Sequence, residues 1–260
     1  MLRLPVRAIY VRVSVGVLVC LVGAACTESR ASIDYRYTKS DAVWLVTDDS
    51  HRYGVLVPRT REIWIGTDGS GRLREDRGEP AYFSDKSRAE WQGVNPLPGD
   101  VDDAFTPGEL SMVDTMGLST DPALLRDQLL AGKGDTERDA QVILANALAY
   151  LRETVPPPAL ARAIVDVVRE TGGIDATPGI KDATGRVGDA FSVNVGGGDP
   201  LRYTPTSRLL MIVDPVTGTL FEEQRILVDP NPLIDADPPA IFGRATYLAS
   251  GITNSTSVRP

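Results

Sequence analysis

Cysteine and histidine are almost absent from the sequence, and their scarcity excludes several kinds of site. Cys20 and Cys26 are the two cysteines, and His51 is the one histidine, in 260 residues. Because both cysteines lie near the N-terminus, neither a cysteine-based metal site nor a catalytic thiol is expected in the rest of the chain. An intramolecular disulfide is also excluded if Cys20 is removed with a leader peptide.

Recognisable catalytic motifs are missing as well. The chain has no Gly-x-Ser-x-Gly, His-Glu-x-x-His or Ser-x-x-Lys pattern. His51 lies in an Asp-Asp-Ser-His-Arg segment between predicted strands, which is typical of a solvated turn. A pair of carboxylates across a cleft stays open, because 35 acidic residues always allow some such pair. We therefore predict a protein that is not an enzyme, without catalytic residues, cofactor or metal.

Clusters of basic residues are lacking too. The chain carries 27 basic and 35 acidic residues, a net charge of −8. Nucleic acid is not an expected partner, because binding to phosphates requires cationic patches. The same balance disfavours tight binding to anionic lipid headgroups and keeps an exported protein soluble.

The sequence also lacks an uncharged run long enough to span a membrane. The run from Val13 to Ala25 follows Arg3, Arg7 and Arg12. It is shorter than the ~20 residues that a spanning helix needs. A positive segment followed by a short apolar run is typical of an export signal, which we assign to residues 1–25.

Cys26 is the predicted site of lipidation. It follows the small residues Gly23, Ala24 and Ala25. This arrangement resembles a bacterial lipobox, in which the thiol is acylated and the signal is removed in front of it. The alternatives are ordinary cleavage near the same place and an uncleaved anchor. We expect the protein outside the cytoplasm, anchored to the outer face of the cell membrane by this lipid.

We interpret residues 26–32 as a tether and predict that residues 33–260 form a single α+β extracytoplasmic domain. Short segments rich in Val, Ile, Trp and Tyr, separated by turn residues, predict strands in the first third. Alternating apolar residues predict further strands in the last third. The predicted strands are Ile33–Thr38, Ala42–Thr47, Tyr53–Val57, Glu62–Thr67, Arg72–Glu75, Val187–Val195, Ser207–Val213, Thr219–Val228 and Ile241–Ser250. The segment Gln92–Gly108 is predicted as a long surface loop.

The middle of the chain predicts a helical insertion over residues 121–172. Asp121 and Pro122 supply an N-cap and a first helical residue, and apolar residues at helical spacing continue to Gly172. Proline at 156–158 separates the second helix from the third. The order of strands, helices and strands favours an antiparallel sheet, with an open half-barrel as one form of it, and about three central helices on one face.

Four stretches together resemble an uncharacterised family of exported or membrane-anchored actinobacterial proteins. Their order and spacing extend over most of the exported chain, and they are Arg61–Arg72, Leu118–Pro122, Lys181–Gly188 and Ile212–Gly218. The resemblance implies no established activity and supplies no catalytic residues. The order of elements is also similar to the half-barrel of LolA-like lipoprotein-carrier domains, a likeness of topology that does not by itself assign a function.

Trp44 and Trp64 are the candidate residues for an apolar cleft. Glu62–Ile65 and Ala42–Val46 place large apolar groups on alternate faces of the sheet, which indicates that both faces are covered. A bound ligand, the loop Gln92–Gly108 or the C-terminal segment could cover the second face, and ordinary core packing is the alternative for each tryptophan.

We favour a lipid-anchored extracytoplasmic binding or sensing protein of unknown ligand, which reversibly buries a lipid or peptide segment. One alternative is a non-enzymatic envelope protein-interaction module with a protein partner. The other, less favoured, is a carboxylate-based hydrolase.

Overall fold

An open antiparallel sheet dominates the fold. The computed structural model describes residues 33–47, 54–92, 99–110, 117–130, 138–196, 206–231 and 234–260. Within them, Ile33–Pro260 forms one compact unit. The predicted export signal, the tether, Cys26 and the turn at His51 lie outside the described residues.

The described strands form two meanders that meet in the middle of one sheet. The order across the sheet is β4-β3-β2-β1-β9-β8-β7-β6-β5, with every neighbouring pair antiparallel. The strands are β1 Tyr35–Thr47, β2 Gly54–Gly66, β3 Gly71–Arg77, β4 Val101–Phe105, β5 Asp175–Lys181, β6 Val187–Val195, β7 Ser207–Val213, β8 Leu220–Leu227 and β9 Ala240–Thr253.

Four helices are described, and three of them lie between β4 and β5. They are α1 Asp85–Trp91, α2 Pro122–Leu130, α3 Asp139–Glu153 and α4 Pro158–Glu170. The α+β class is confirmed, although strands dominate and the helices number four rather than about three. None of these described helices combines the length and apolar composition that crossing a membrane requires.

Local sequence explains where the helices begin and end. Asp121 Oδ1 accepts hydrogen bonds from the backbone N–H groups of Ala123 and Leu124 at 3.1 Å each, which confirms the predicted N-cap of α2. The helix α3 ends at Glu153, before the prolines, and Pro158 begins α4 as its first residue.

The main hydrophobic core lies between the sheet and α2–α4. The amphipathic helix α4 contributes the largest apolar stripe. Leu148, Ile164 and Val168 are at most 3 % exposed, and they pack in one cluster with Phe191 and Met211 of the sheet. Burial of these side chains provides most of the free energy that holds the helices against the strands.

Several strand boundaries differ from the sequence prediction. β1 and β2 are each continuous over 13 residues, where short breaks were predicted. Each lies between two partner strands, so pairing on both sides outweighs the weak local strand preference of Lys39–Asp41 and Pro58–Arg61. The predicted loop Gln92–Gly108 contains the edge strand β4, which is a correction to that prediction.

Candidate functional site

The two faces of the sheet differ in what covers them. Side chains alternate along a strand, and residues directly opposite on paired strands share a face. Ala42, Phe191, Met211 and Ala245 therefore lie on one face, where they pack with α2–α4. We call this the helical face. Val55 and Val57 lie on it as well, covered by Trp91 of α1.

Trp44 and Trp64 lie on opposite faces of the sheet. Trp44 pairs with Val57 on the helical face, whereas Trp64 pairs with Tyr37 on the other face. Tyr37 and Trp44 are seven positions apart on β1, as are Val57 and Trp64 on β2. Because seven is an odd number and the β1–β2 register is unbroken between them, the two pairs lie on opposite faces. The two tryptophans therefore do not line a common cleft.

The C-terminal segment covers Trp64. The Trp64 indole Nε1 donates to the Val258 carbonyl oxygen at 2.8 Å. The Trp64 and Tyr37 side chains are 2 % and 1 % exposed, with ring centroids 5.0 Å apart. This part of the second face is thus buried by the chain itself, one of the three coverings that the sequence left open.

An ion pair between Arg259 and Glu62 holds the C-terminal segment against β2. Arg259 donates from Nε and Nη2 to the two Glu62 carboxylate oxygens at 2.6 and 2.7 Å, and the Tyr37 hydroxyl donates to Glu62 Oε1 at 2.6 Å. Mainly through the hydrogen bonds from Arg259, the pKa of Glu62 falls to about 2. Burial, followed by the bond to Glu62, raises the pKa of Tyr37 to about 12.

A cavity of about 400 Å³ opens on the helical face, over strands β1, β2, β8 and β9, with Arg152 of α3 and Leu110 at its sides. Drug-sized ligands occupy cavities of roughly 300–1,000 Å³. Arginines and apolar or aromatic side chains share the lining, which consists of Arg36, Thr38, Ser40, Ala42, Trp44, Arg59, Arg61, Ile63, Ile65, Leu110, Arg152, Glu223, Ala245 and Tyr247.

The alternation of β2 accounts for the mixed lining. Arg59, Arg61, Ile63 and Ile65 follow at every second position, so all four point to the helical face. Ser40 lies opposite Arg61 and Ala42 lies opposite Arg59. These small side chains leave space over the strands that the long arginine side chains enter.

Glu75 neutralises part of the arginine charge. Arg59 Nη1 donates to Glu75 Oε1 at 3.1 Å, and Arg77 Nη2 lies 2.8 Å from the same oxygen. Burial alone would raise the pKa of Glu75, but hydrogen bonds and charge from Arg77 and Arg59 outweigh it and lower that pKa. One carboxylate thus holds two guanidinium groups.

Other guanidinium nitrogens in and beside the cavity have no acceptor among the described residues. The side chains of Arg36 and Arg61 make no hydrogen bond or ion pair with those residues. The atoms without a partner among those residues are Arg36 Nη1, Arg59 Nε, Arg61 Nε and Arg77 Nη1, all of them buried. A buried donor left without a partner costs about 1–3 kcal/mol, and more when it is charged. Such groups are rare in native proteins, and each one requires an explanation.

A second carboxylate lies on the helical side of the cavity. Tyr247 Oη donates to Glu223 Oε1 at 2.8 Å, and Arg152 Nη1 at the end of α3 lies 3.4 Å from Glu223 Oε2. Burial, reinforced by the charge of Glu223, raises the pKa of the Tyr247 hydroxyl well above its usual range. A bulge at Leu248 places Tyr247, rather than Leu248, opposite Ser40.

A smaller, mostly apolar cavity of about 90 Å³ adjoins the first. The two share Thr38, Arg152 and Tyr247 in their linings. The apolar part of the second lining comes from the end of α3, the start of α4 and the β7–β8 turn, and includes Leu151, Val155, Pro156, Pro158, Ala161 and Leu220. Together the cavities present a cationic region continuous with an apolar one.

Among the described residues, no group of His, Cys, Asp and Glu is arranged to hold a metal ion. Comparison of the chain with protein-family models, curated proteins and solved structures finds no match. The proposed function therefore rests on the geometry of the helical face.

Proposed function

We propose that the protein is a lipid-anchored extracytoplasmic binding or sensing protein, and that the cavity on the helical face takes up the apolar part of its ligand. The observation that carries this proposal is the 400 Å³ cavity lined by Trp44, Ile63, Ile65 and Tyr247. Each buried CH₂ group of a lipid or peptide contributes about 0.8 kcal/mol to binding there. We further propose that the open sheet forms a half-barrel around this cavity.

The two carboxylates at the cavity favour binding over hydrolysis. A carboxylate-based hydrolase needs one carboxyl group that keeps its proton and one that is ionised. Glu75 is held in its ionised form by Arg59 and Arg77, and Glu223 accepts from Tyr247 and Arg152. Both carboxylates therefore already accept hydrogen bonds from other side chains of the protein.

The proposal is tested by native mass spectrometry of protein purified from its own envelope. We expect a bound molecule on the wild-type protein that is lost from a Thr38→Trp variant, because Thr38 lines both cavities and tryptophan fills the space. Thr60→Trp is the matched control, since Thr60 pairs with Asp41 on the opposite face. Empty wild-type protein that captures an envelope protein would favour the interaction-module alternative.

The anchor is tested separately. Mass spectrometry of the membrane-extracted protein should find Cys26 as the N-terminal residue with the mass of a diacylglycerol added. A mature terminus at another position, or an unmodified Cys26, would contradict the proposed anchor without affecting the cavity.

A further inference from the structure

We infer that the ligand of the cavity carries an oxyanion, a carboxylate or a phosphate, and that Arg61 with Arg59 binds it. This inference rests on the proposed function and names the chemical class of the ligand. Its basis is the set of buried guanidinium nitrogens in the cavity that have no acceptor among the described residues.

The charge balance of the cavity supports an anion. Four arginines and one glutamate line it, and Glu75 with Arg77 adjoins it. With the Arg152–Glu223 pair left aside, four arginines (Arg36, Arg59, Arg61 and Arg77) and one carboxylate (Glu75) remain among the described residues, an excess of three positive charges. In a site with little water, like charges repel strongly, and an anion relieves that repulsion.

The geometry of the arginines suits an oxyanion. A guanidinium group donates in a fixed fork that matches carboxylate and phosphate oxygens. Arg59 uses Nη1 for Glu75 and leaves Nε unpaired, and the Arg61 side chain makes no hydrogen bond or ion pair with the described residues. An oxyanion between these two side chains would accept hydrogen bonds from both, since they lie two residues apart on the same face of β2.

The apolar residues beside the arginines favour an amphiphilic ligand over a free ion. Ile63 and Ile65 continue the same row on β2 beyond Arg61, Trp44 lies at the other end of the row beside Arg59, and Tyr247 lies opposite Ser40 on β9. A small inorganic anion would leave these apolar surfaces in contact with water. A molecule with an anionic head and an apolar chain satisfies both parts of the lining.

Calorimetric titration of the full-length protein with decyl phosphate, decanoate, decanol and inorganic phosphate, all below micelle-forming concentrations, tests the inference. We expect either or both anionic amphiphiles to bind roughly tenfold or more tightly than decanol. Equal affinity for decanol and the two anions would overturn the inference and leave the apolar cavity of the proposed function in place. Inorganic phosphate that binds as tightly as decyl phosphate would support the arginine site and overturn the apolar function.

Matched variants locate the site. Arg61→Gln should remove roughly tenfold or more of the affinity for the anions and leave decanol binding unchanged. Arg74→Gln is the control, because Arg74 pairs opposite Glu62 and lies on the other face. Arg61→Lys gives a second test if the first variant does not fold. It keeps the charge but loses the forked donor geometry, so it should also bind the anions more weakly than the wild type does.

The thermal stability of the unliganded variant distinguishes binding from a structural role. If the role of Arg61 is to bind the anion, Arg61→Gln should melt at the same temperature as the wild type or at a higher one, because an unpaired charge is removed. Decyl phosphate should then raise the melting temperature of the wild type but not of the variant. A lower melting temperature for Arg61→Gln, with unchanged affinity for the anions, would contradict the inference.

Discussion

Truncation of Leu148 in α3 provides a quantitative test of the packing between helices and sheet. The Leu148 side chain is 3 % exposed and belongs to the main core cluster. Leu→Ala changes at such sites cost about 2–5 kcal/mol, since transfer free energy is lost and a cavity remains. For a domain of this size, about 2–4 °C is lost per kcal/mol, so Leu148→Ala should lower the melting temperature by roughly 5–20 °C.

Differential scanning calorimetry with a matched surface variant measures this cost. Leu124→Ala in α2 removes the same atoms from a side chain that is 59 % exposed, and it should change the melting temperature by no more than about 2 °C. Leu148→Asp places a carboxylate without a partner in the core and should prevent folding. Equal melting temperatures for Leu148→Ala and Leu124→Ala would show that the helices do not pack as described.

Three further predictions concern the C-terminal segment, a turn and the cysteine. The pKa of Glu62 is lowered from 4.5 to about 2, so its stabilisation should be present above pH 4.5 and be lost as the pH falls towards 2. Urea unfolding should show the advantage of the wild type over Glu62→Gln shrinking across that range, and a constant difference would contradict the assignment. Gly218 and Gly179 both have positive φ, but only at Gly218 would a Cβ meet backbone atoms, those of Ala161, at 2.7 Å. Gly218→Ala should therefore lose more unfolding free energy than Gly179→Ala, for which backbone strain alone costs about 1–2 kcal/mol; equal losses would rule out the close approach to α4. The mature protein should melt at the same temperature with and without dithiothreitol, and a shift of several degrees would show that Cys20 remains in the chain and pairs with Cys26.

The regular parts of the fold could be predicted from the sequence because local pattern and tertiary context agree there. β6 and β7 follow from alternation, and Asp121 marks the start of α2. By contrast, α1 spans seven residues and is capped by Ser84 and Ser87, a pair that departs from the usual Ser-x-x-Glu pattern. β5 contains Thr-Pro-Gly and forms only at the sheet edge, where a proline is tolerated.

The cavity could not be predicted, because its charge depends on tertiary structure. Arg59 and Arg61 lie in a segment that the sequence placed between two strands, so their common face was not apparent. Once β2 is continuous, their spacing of two residues brings them to one side, and Arg36 and Arg152 join them from β1 and α3. A chain without basic clusters in its sequence thus has one in its structure. The sequence offered the C-terminal segment as one of three possible covers for the second face, but it could not single that segment out, because the Trp64 hydrogen bond joins residues 194 positions apart.

A crystal structure of the protein with decyl phosphate would show directly whether the cavity binds an anionic amphiphile through its arginines. We expect phosphate oxygens within about 2.7–3.2 Å of guanidinium nitrogens of Arg61 and Arg59, with the decyl chain against Trp44, Ile63 or Tyr247. Ligand bound on the opposite face of the sheet, or a phosphate directed away from the arginines, would contradict it.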